Sequence, residues 1–256
     1  MEKLLVTRDG HVTTITFNQP ARKNAVDLEM TMALKAAVLE AASDDSKVLI
    51  LTGAGADFCA GADLKSGIDP GNDVTEYLRA YTNPTIVALR EMPKPVIAKV
   101  RGVAVGIGCN YALAADIRIA SPTAKFGQIF TRIGLMPDGG STYFLPRMIG
   151  YARAFEWMVT ADIVDAARAV ELGIVNRVVD DAALDGAVAE FAARLAAGPS
   201  LAFAGIKHAL NIGERGTLAD ALEAEAVNQK ACIASEDFRE GVTAFIEKRK
   251  ASFQGR

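Results

Sequence analysis

Short apolar runs alternate with longer amphipathic stretches over the first two thirds of the chain. The apolar runs are rich in β-branched residues and end at glycine, proline or polar positions, which predicts buried strands. The predicted strands cover residues 4–8, 12–18, 48–53, 96–100, 117–120 and 174–179. The helices predicted in this part cover residues 28–42, with Asp27 as the N-cap, and residues 75–91, 109–115 and 142–149. This alternation indicates an α/β fold with a sheet core and helices on the outside.

The pattern changes after residue 151, where helices dominate and strand signals become rare. The helices predicted there cover residues 152–160, 165–172, 181–197, 200–211, 218–234 and 236–249. Several carry apolar faces, which must pack either on the chain's own core or on a partner subunit. We therefore predict two parts, a core over residues 1–195 and a helical region over residues 196–256.

Residues 96–116 run from a predicted strand through a glycine-rich turn into a helix. Gly102, Gly106 and Gly108 fall within seven residues there. The first amides of a helix have no partner inside it and carry positive potential, so such a turn can stabilise a developing negative charge. A second loop, at residues 54–64, is built in the same way. The two loops form an oxyanion hole if their amides converge, and otherwise each is a tight packed turn.

Composition and charge exclude several classes of protein. The 256 residues are half hydrophobic and carry a net charge of −3, without the basic stripe of a nucleic-acid-binding protein. Three scattered cysteines argue against a disulfide framework. The two histidines, His11 and His208, are too far apart to favour a histidine metal site. Since the start of the chain turns polar too early for a signal peptide and no apolar run is long enough for a membrane span, we expect a cytoplasmic protein.

Seven segments, in this order along the chain, resemble the crotonase superfamily, also called the enoyl-CoA hydratase/isomerase superfamily. They are residues 24–26, 58–64, 100–109, 115–120, 125–127, 134–137 and 245–249. The resemblance implies a crotonase-like spiral of repeated ββα units, followed by a helical region that forms a homotrimer or a dimer of trimers. It also implies an acyl-CoA thioester as substrate, with coenzyme A as part of that substrate and no separate cofactor.

The resemblance assigns roles to residues at matching positions. The backbone amides of Ala60 and Ile107 would form the oxyanion hole and stabilise a thioester enolate. Ile107 replaces the middle glycine of the family's Gly-Gly-Gly run, which keeps the backbone donor and narrows the site. Arg22 and Lys23 stand where the family places cations near the coenzyme phosphates, although a solvated loop pair would look the same. The residues expected to contact the substrate are Arg22, Lys23, Ala25, Ala60, Gly61, Ala62, Asp63, Leu64, Gly106, Phe130, Phe245 and Lys248.

The chain departs from the family's hydratases at both of their glutamate positions. Asn110 stands at the first and Phe130 at the second, and neither side chain can exchange a proton as a carboxylate does. One acid, Asp138, remains eight residues beyond Phe130. Double-bond isomerases of the family, including the ring-epoxide phenylacetyl-CoA type, place an aspartate there.

A lone carboxylate at Asp138 suits an enoyl-CoA isomerase. It would take a proton from the γ carbon and return it to the α carbon, while the oxyanion hole holds the dienolate. Apolar walls, including Phe130, would raise the pKa of the carboxyl and make it a better base. We therefore predict an isomerase with Asp138 as its proton shuttle; a turn or capping aspartate is the structural alternative.

Three other functions stay open. A hydratase could use Asp138 and a bound water. A 4-chlorobenzoyl-CoA-type dehalogenase would use Asp138 as its nucleophile, but neither His11 nor His208 stands where that chemistry needs a base. A catalytically silent member would bind acyl-CoA without turning it over. The loop at residues 67–73 is either a substrate-gated lid or a plain surface loop.

Overall fold

The computed structural model describes residues 2–66 and 73–256, so the predicted lid lies outside the described residues except for Asp73. The strands are β1 (Leu4–Asp9), β2 (Val12–Phe17), β3 (Val48–Gly53), β4 (Val96–Val100), β5 (Val103–Val105), β6 (Ile117–Ala120), β7 (Lys125–Gly127), β8 (Ile163–Asp165) and β9 (Arg177–Val178). The helices are α1 (Leu28–Ser43), α2 (Val74–Tyr77), α3 (Asn83–Glu91), α4 (Ile107–Ala114), α5 (Ser141–Ile149), α6 (Tyr151–Thr160), α7 (Ala166–Glu171), α8 (Leu184–Ala196), α9 (Ser200–Arg215), α10 (Leu218–Ala234) and α11 (Glu236–Glu247).

The main sheet has six strands in the order β1-β2-β3-β4-β6-β9. The β1–β2 hairpin is antiparallel, and the other neighbours pair in parallel. A parallel sheet needs cover on both faces. On one face lies the main core, to which α1, α3 and α4 contribute. On the other face, α8 buries Leu184, Val188 and Ala192 against Val48, Ile97 and neighbouring residues. The predicted α/β architecture is therefore confirmed.

A second sheet, in the order β5-β7-β8, begins directly after β4. Gly102 makes the turn between the sheets with φ +50°, and a Cβ there would collide with the Ala56 carbonyl oxygen. The sequence pattern predicted a continuous glycine-rich turn at this point and missed β5. The reason is that three residues between glycines carry no periodicity, and β5 is a strand because it pairs with β7 and bridges Cys59.

The helix predicted over residues 75–91 is three segments. It begins in α2, passes through a π-helical turn at Leu78–Thr82, and continues as α3 with Pro84 in its first turn. Proline cannot donate a backbone hydrogen bond, so the regular pattern breaks just before it. By contrast, the helix predicted after Asp27 is confirmed as α1, because the Asp27 carboxylate accepts from the Met30 amide at 2.9 Å.

The chain ends in α9, α10 and α11, and α9 packs on α10. Within the described residues, no helix combines the length and the apolar character that crossing a bilayer requires. Several large apolar side chains of these helices are exposed. They are Ile206, Leu210, Leu218, Leu222, Val227, Ile233, Phe238, Val242, Phe245 and Ile246. The division of the chain at residues 195 and 196 stays a prediction.

Candidate active site

The two glycine-containing loops converge at one point. Cys59 donates its amide to the Val103 carbonyl at 2.9 Å and accepts from the Val105 amide at 3.1 Å. Beyond this bridge Gly61 and Gly106 face one another, with φ +91° and φ +57°. A Cβ on Gly61 would lie 3.0 Å from the Val105 carbonyl oxygen and 3.7 Å from the Gly106 Cα. The absence of side chains therefore lets the loop after β3 pack directly on the start of α4.

Two backbone amides beside this contact have no acceptor in the described structure. Ile107 is the first residue of α4, where a helix offers its amide no partner. The pairing of Ala62 with Val26 uses backbone groups of the residues on either side of Ala62. The Val26 amide donates to the Gly61 carbonyl, and the Asp63 amide donates to the Val26 carbonyl, both at 2.8 Å. The Ala62 amide therefore points away from Val26 and is open to a ligand.

The Ala60 amide, which the resemblance assigned to the oxyanion hole, is already used. It donates to the Lys23 carbonyl at 2.9 Å. This corrects the prediction by two residues, because the available donor in this loop belongs to Ala62. The backbone pairing across the chain decides which amide is available, and no motif read along the sequence alone reveals it.

Asn24 holds the loop that carries Arg22 and Lys23 against the oxyanion loop. It is fully buried with φ +57°, and its side-chain amide donates to the Ala54 carbonyl at 2.9 Å and the Asp57 carbonyl at 2.7 Å. Asparagine tolerates this left-handed backbone better than most residues. The role of Asn24 was not predicted from the sequence, although an asparagine at a tight loop between predicted elements is a usable signal.

The predicted phosphate-binding cations lie at the edge of this site. Arg22 is about half exposed and forms an ion pair with the buried carboxylate of Asp63, whose other oxygen accepts from the Lys65 amide at 3.0 Å. Lys23 is exposed. Ala25 is buried and Leu64 is exposed. The structure thus gathers the predicted contacts at residues 22–25, 60–64 and 106–107 into one region.

Phe245 and Lys248 lie outside this region. They lie at the end of α11, and 84% of the Phe245 side chain is exposed. The residues around them bond within the C-terminal segment, where Arg249 pairs with Glu240 at 2.6 Å. Within one chain, these two predicted substrate contacts are therefore not placed at the site.

Asp138 lies in a loop that closes over the first turn of α4. The loop lies so close that a Cβ on Gly139 would collide with the Ile107 Cδ1 and lie 3.4 Å from the Asn110 Cβ. The Asn110 side-chain amide donates to the Asp138 main-chain carbonyl at 2.8 Å. These contacts place Asp138 beside the helix start that carries the open Ile107 amide.

The Asp138 carboxyl is poised to exchange a proton. Its Oδ1 atom is buried and has no hydrogen-bond partner within the described residues. Burial raises the pKa of Asp138 from its ordinary value of 3.8 to about 6, because the charged form loses more from lost hydration than it gains from a hydrogen bond with its own backbone amide. The raised pKa that the sequence predicted is confirmed. The nearby hydroxyls of Tyr77 and Tyr111 have raised pKa values, caused mainly by burial, so they are neutral beside it.

The two hydratase glutamate positions hold no acid. Asn110 is fully buried, and its carbonyl oxygen accepts from the Gln128 side chain at 2.8 Å. Phe130 is buried in the 3₁₀ turn Ile129–Ile133. The neighbouring thiols of Cys59 and Cys109 are also unreactive, because burial raises the pKa of each to about 12.

Residues 7–256 match the family described as Enoyl-CoA hydratase/isomerase. The Rhodobacter capsulatus protein named "Probable enoyl-CoA hydratase" is 42% identical over 245 residues, covering 96% of this chain and 95% of that protein. The 1,2-epoxyphenylacetyl-CoA isomerase of Escherichia coli is 39% identical, and the match covers 100% of both chains. The crystal structure of enoyl-CoA hydratase from Bacillus anthracis superposes with a TM-score of 0.94, at 32% identity and 100% coverage of both chains.

The chain therefore belongs to the enoyl-CoA hydratase/isomerase family and has the crotonase fold, which confirms the predicted family and architecture. It is an enzyme of a family that acts on coenzyme A thioesters.

Proposed function

We propose that this protein is an enoyl-CoA isomerase that shifts a double bond with Asp138 as its single proton shuttle. The observation that carries the proposal is the Asp138 carboxyl beside the first turn of α4, whose Oδ1 atom is buried and has no hydrogen-bond partner within the described residues. Asn110 and Phe130 occupy the positions where hydration would need carboxylates. A reaction that moves one proton between two carbons needs only one such group.

The reaction runs through a dienolate. From a 3-enoyl thioester, the Asp138 carboxylate takes a proton from the α carbon, and the electron pair of that C–H bond delocalises onto the thioester oxygen. The Ala62 and Ile107 amides donate to this oxygen. The protonated carboxyl then returns the proton to the γ carbon, which yields the conjugated 2-enoyl thioester. The reverse direction uses the same steps, and neither direction consumes water or needs a separate cofactor.

The first test follows purified protein with a 3-enoyl-CoA and a 2-enoyl-CoA. Conversion of the 3-enoyl compound, seen as conjugated-thioester absorbance without a mass change, is the expected result. Absence of that conversion in a folded protein contradicts the proposal. The thioester of a phenylacetyl ring epoxide belongs in the same assay, since a relative that matches the whole chain is named for that substrate.

Hydration is the second candidate, because a relative 42% identical is named as a hydratase. A hydratase here would need Asp138 and a bound water to replace both missing carboxylates. A mass gain of one water on the 2-enoyl compound, at a rate above that of the isomerisation, would favour it. Dehalogenation has less structural support, since His11 lies in the β1–β2 turn and His208 on α9 contacts Asn228.

The oxyanion hole can be tested by replacing one peptide bond at a time with an ester, which removes a single N–H. Losing one oxyanion donor raises the barrier by about 3–4 kcal/mol, so the ester at Ala62 is expected to lower kcat about 100- to 1,000-fold. The ester at Ala60 is the matched control, since it removes a bond to Lys23 and is expected to affect stability rather than chemistry. The opposite ranking of the two esters would return the role to Ala60.

We also infer that α9–α11 associate with other copies of the chain as a homotrimer or a dimer of trimers. The exposed apolar side chains of these helices support this, since a surface this apolar is costly in water. Light scattering coupled to size-exclusion chromatography is expected to give a mass of three or six chains of 27.1 kDa. A monomer at micromolar concentration would contradict the inference.

A further inference from the structure

A chain of hydrogen bonds joins the Asp138 loop to the element that carries the oxyanion donor. The Gln128 side-chain amide donates to the Asn110 carbonyl oxygen at 2.8 Å, and the Asn110 amide donates to the Asp138 main-chain carbonyl at 2.8 Å. A main-chain carbonyl can only accept, so the direction of every bond in this chain is fixed. Asn110 and Gln128 are both fully buried, which removes water as a competing partner.

Asn110 lies on the same face of α4 as Ile107, because it comes three positions later and that spacing stacks side chains on one helix face. The Ile107 amide belongs to the proposed oxyanion hole, and the Ile107 side chain contacts Gly139. The first turn of α4 therefore supplies the proposed oxyanion donor from its backbone. Two of its side chains, Ile107 and Asn110, contact the Asp138 loop. The starting point of that turn is fixed as well, since the Gly106 amide donates to the Gly127 carbonyl at 2.9 Å.

We propose that Asn110 is a positioning residue, which ties the Asp138 loop to the first turn of α4 and so fixes the distance between the Ile107 amide and the Asp138 carboxyl. The inference rests on the proposed isomerase function. Hydratases of the family have a glutamate at the position of Asn110. In this protein, Asn110 instead holds the loop that carries Asp138, the proposed proton shuttle.

Ser141 is a second residue that holds the Asp138 loop, and its contribution can be compared with that of Asn110. Ser141 bonds the same Asp138 carbonyl through its hydroxyl at 3.2 Å and its amide at 3.3 Å. These bonds tie the loop to the start of α5, the helix that directly follows it, and not to α4. Loss of the Ser141 hydroxyl is therefore expected to reduce kcat less than loss of the Asn110 amide, although both side chains bond one carbonyl.

The experiment measures kcat, KM and the pH profile of isomerisation for Asn110→Ala, Asn110→Asp and the wild type. Misplacing a catalytic group by about 1 Å costs up to about 100-fold, so Asn110→Ala is expected to lower kcat about 10- to 100-fold, with KM within about threefold. The midpoint of its pH profile is expected to move to lower pH, because a carboxyl released towards water has a lower pKa.

Asn110→Asp keeps the shape of the side chain and its bond from Gln128 but cannot donate to Asp138 when ionised. It is expected to lower kcat as well, but to move the midpoint to higher pH, because a second carboxylate raises the pKa of the first. The opposite shifts distinguish positioning from general damage. Asn110→Asp also decides the question if Asn110→Ala does not fold.

Asn211→Ala is the matched control. Asn211 is another buried asparagine, and it donates one bond to a main-chain carbonyl, that of Arg90, at 2.9 Å. It lies on α9, away from the oxyanion loops, so its loss is expected to lower the unfolding midpoint while kcat and the pH midpoint stay unchanged. A kcat for Asn110→Ala within about twofold of the wild type, or a loss of activity with an unmoved pH midpoint, would overturn the inference.

Failure of this inference is separable from failure of the proposed function. If Asp138→Asn abolishes isomerisation while Asn110→Ala retains kcat and its pH midpoint, only the role of Asn110 is lost. If Asp138→Asn retains activity, the isomerase mechanism itself is wrong, whatever Asn110→Ala does.

Discussion

The two ends of α4 treat a partly buried carboxyl in opposite ways. At the first turn, the Asp138 carboxyl has an oxygen without any partner in the described structure. Just beyond the last turn, Asp116 accepts from the Lys207 ammonium at 2.7 Å and from the Val96 amide at 2.8 Å. The first arrangement lowers the stability of the ionised carboxyl and makes it a base, whereas the second gives the carboxylate an ammonium and an amide as hydrogen-bond donors.

The ion pair beyond the last turn of α4 is saturated. Lys207 is buried, and its ammonium also donates to the Leu89 carbonyl at 3.0 Å and the Lys94 carbonyl at 3.2 Å, so all three hydrogens are used. Arg118, also buried, donates to the Leu113 and Ala115 carbonyls at the end of α4, where a cation is favourable. We infer that this end serves stability and the other end serves reactivity.

The largest expected effect is on catalysis, at the first turn. Asp138→Asn keeps the size of the side chain but removes the proton acceptor, and removal of a general base costs about 100- to 10,000-fold. Isomerisation measured by conjugated-thioester absorbance is expected to fall by that factor, with KM little changed. Circular dichroism and the unfolding midpoint provide the control for folding. A variant with more than a tenth of wild-type kcat would show that Asp138 is not the shuttle.

The next largest effect is expected on folding stability, at the C-terminal end of α4. Lys207→Met removes the cation and leaves Asp116 with the Val96 amide and the more distant Arg90, 4.0 Å away. Breaking a buried pair costs about 3–5 kcal/mol, and because Asp116 keeps partial solvent access we expect a smaller loss here, about 2–3 kcal/mol. Urea unfolding measures this loss, and kcat of the folded variant is expected to stay at the wild-type value. A large fall in kcat without a stability loss would reverse the proposed roles of the two ends.

The same contrast shows how far the sequence could predict this molecule. The apolar runs of β3 and β4 and the cap at Asp27 were predictable, because periodicity and capping act locally. Asp138 was singled out by the resemblance to the family's isomerases, and its role as proton shuttle stays a prediction. Which of the Ala60 and Ala62 amides is available was not predictable from the sequence. The Lys23 carbonyl accepts from the Ala60 amide, whereas no carbonyl in the described structure accepts from the Ala62 amide. Long-range pairing decides such details, and the pattern along the chain does not contain it.

A third prediction concerns pH, and its sign follows from the raised pKa. Asp138 has a pKa of about 6 when folded against about 3.9 when unfolded, so the folded state holds the proton more tightly. The ionised carboxyl therefore destabilises the fold progressively from about pH 4 to pH 6 and fully above that, by about 2–3 kcal/mol. Nearby Tyr77 and Tyr111 are neutral in this range because their pKa values are raised.

Asp138→Asn is the variant that reveals this linkage. It is expected to match the wild type in stability near pH 4 and to exceed it by about 2–3 kcal/mol at pH 8, since asparagine carries no charge to bury. Urea unfolding at several pH values measures the gap between the two proteins. A gap that is constant with pH, or one that widens on acidification, would contradict the raised pKa.

The smallest effect on stability is expected from the partly exposed ion pair beside Asp116 and Lys207. Glu214 bonds the Arg90 guanidinium at 2.8 Å, but its side chain is about one-third exposed. Since exposed pairs contribute about 0–1 kcal/mol, Glu214→Gln is expected to lower the free energy of unfolding by less than about 1 kcal/mol. High salt should reduce the difference further, because it screens exposed charges. A loss as large as that of Lys207→Met would mean that Arg90 depends on Glu214, and that the stabilising network extends beyond Lys207 and Asp116 to the surface of α9.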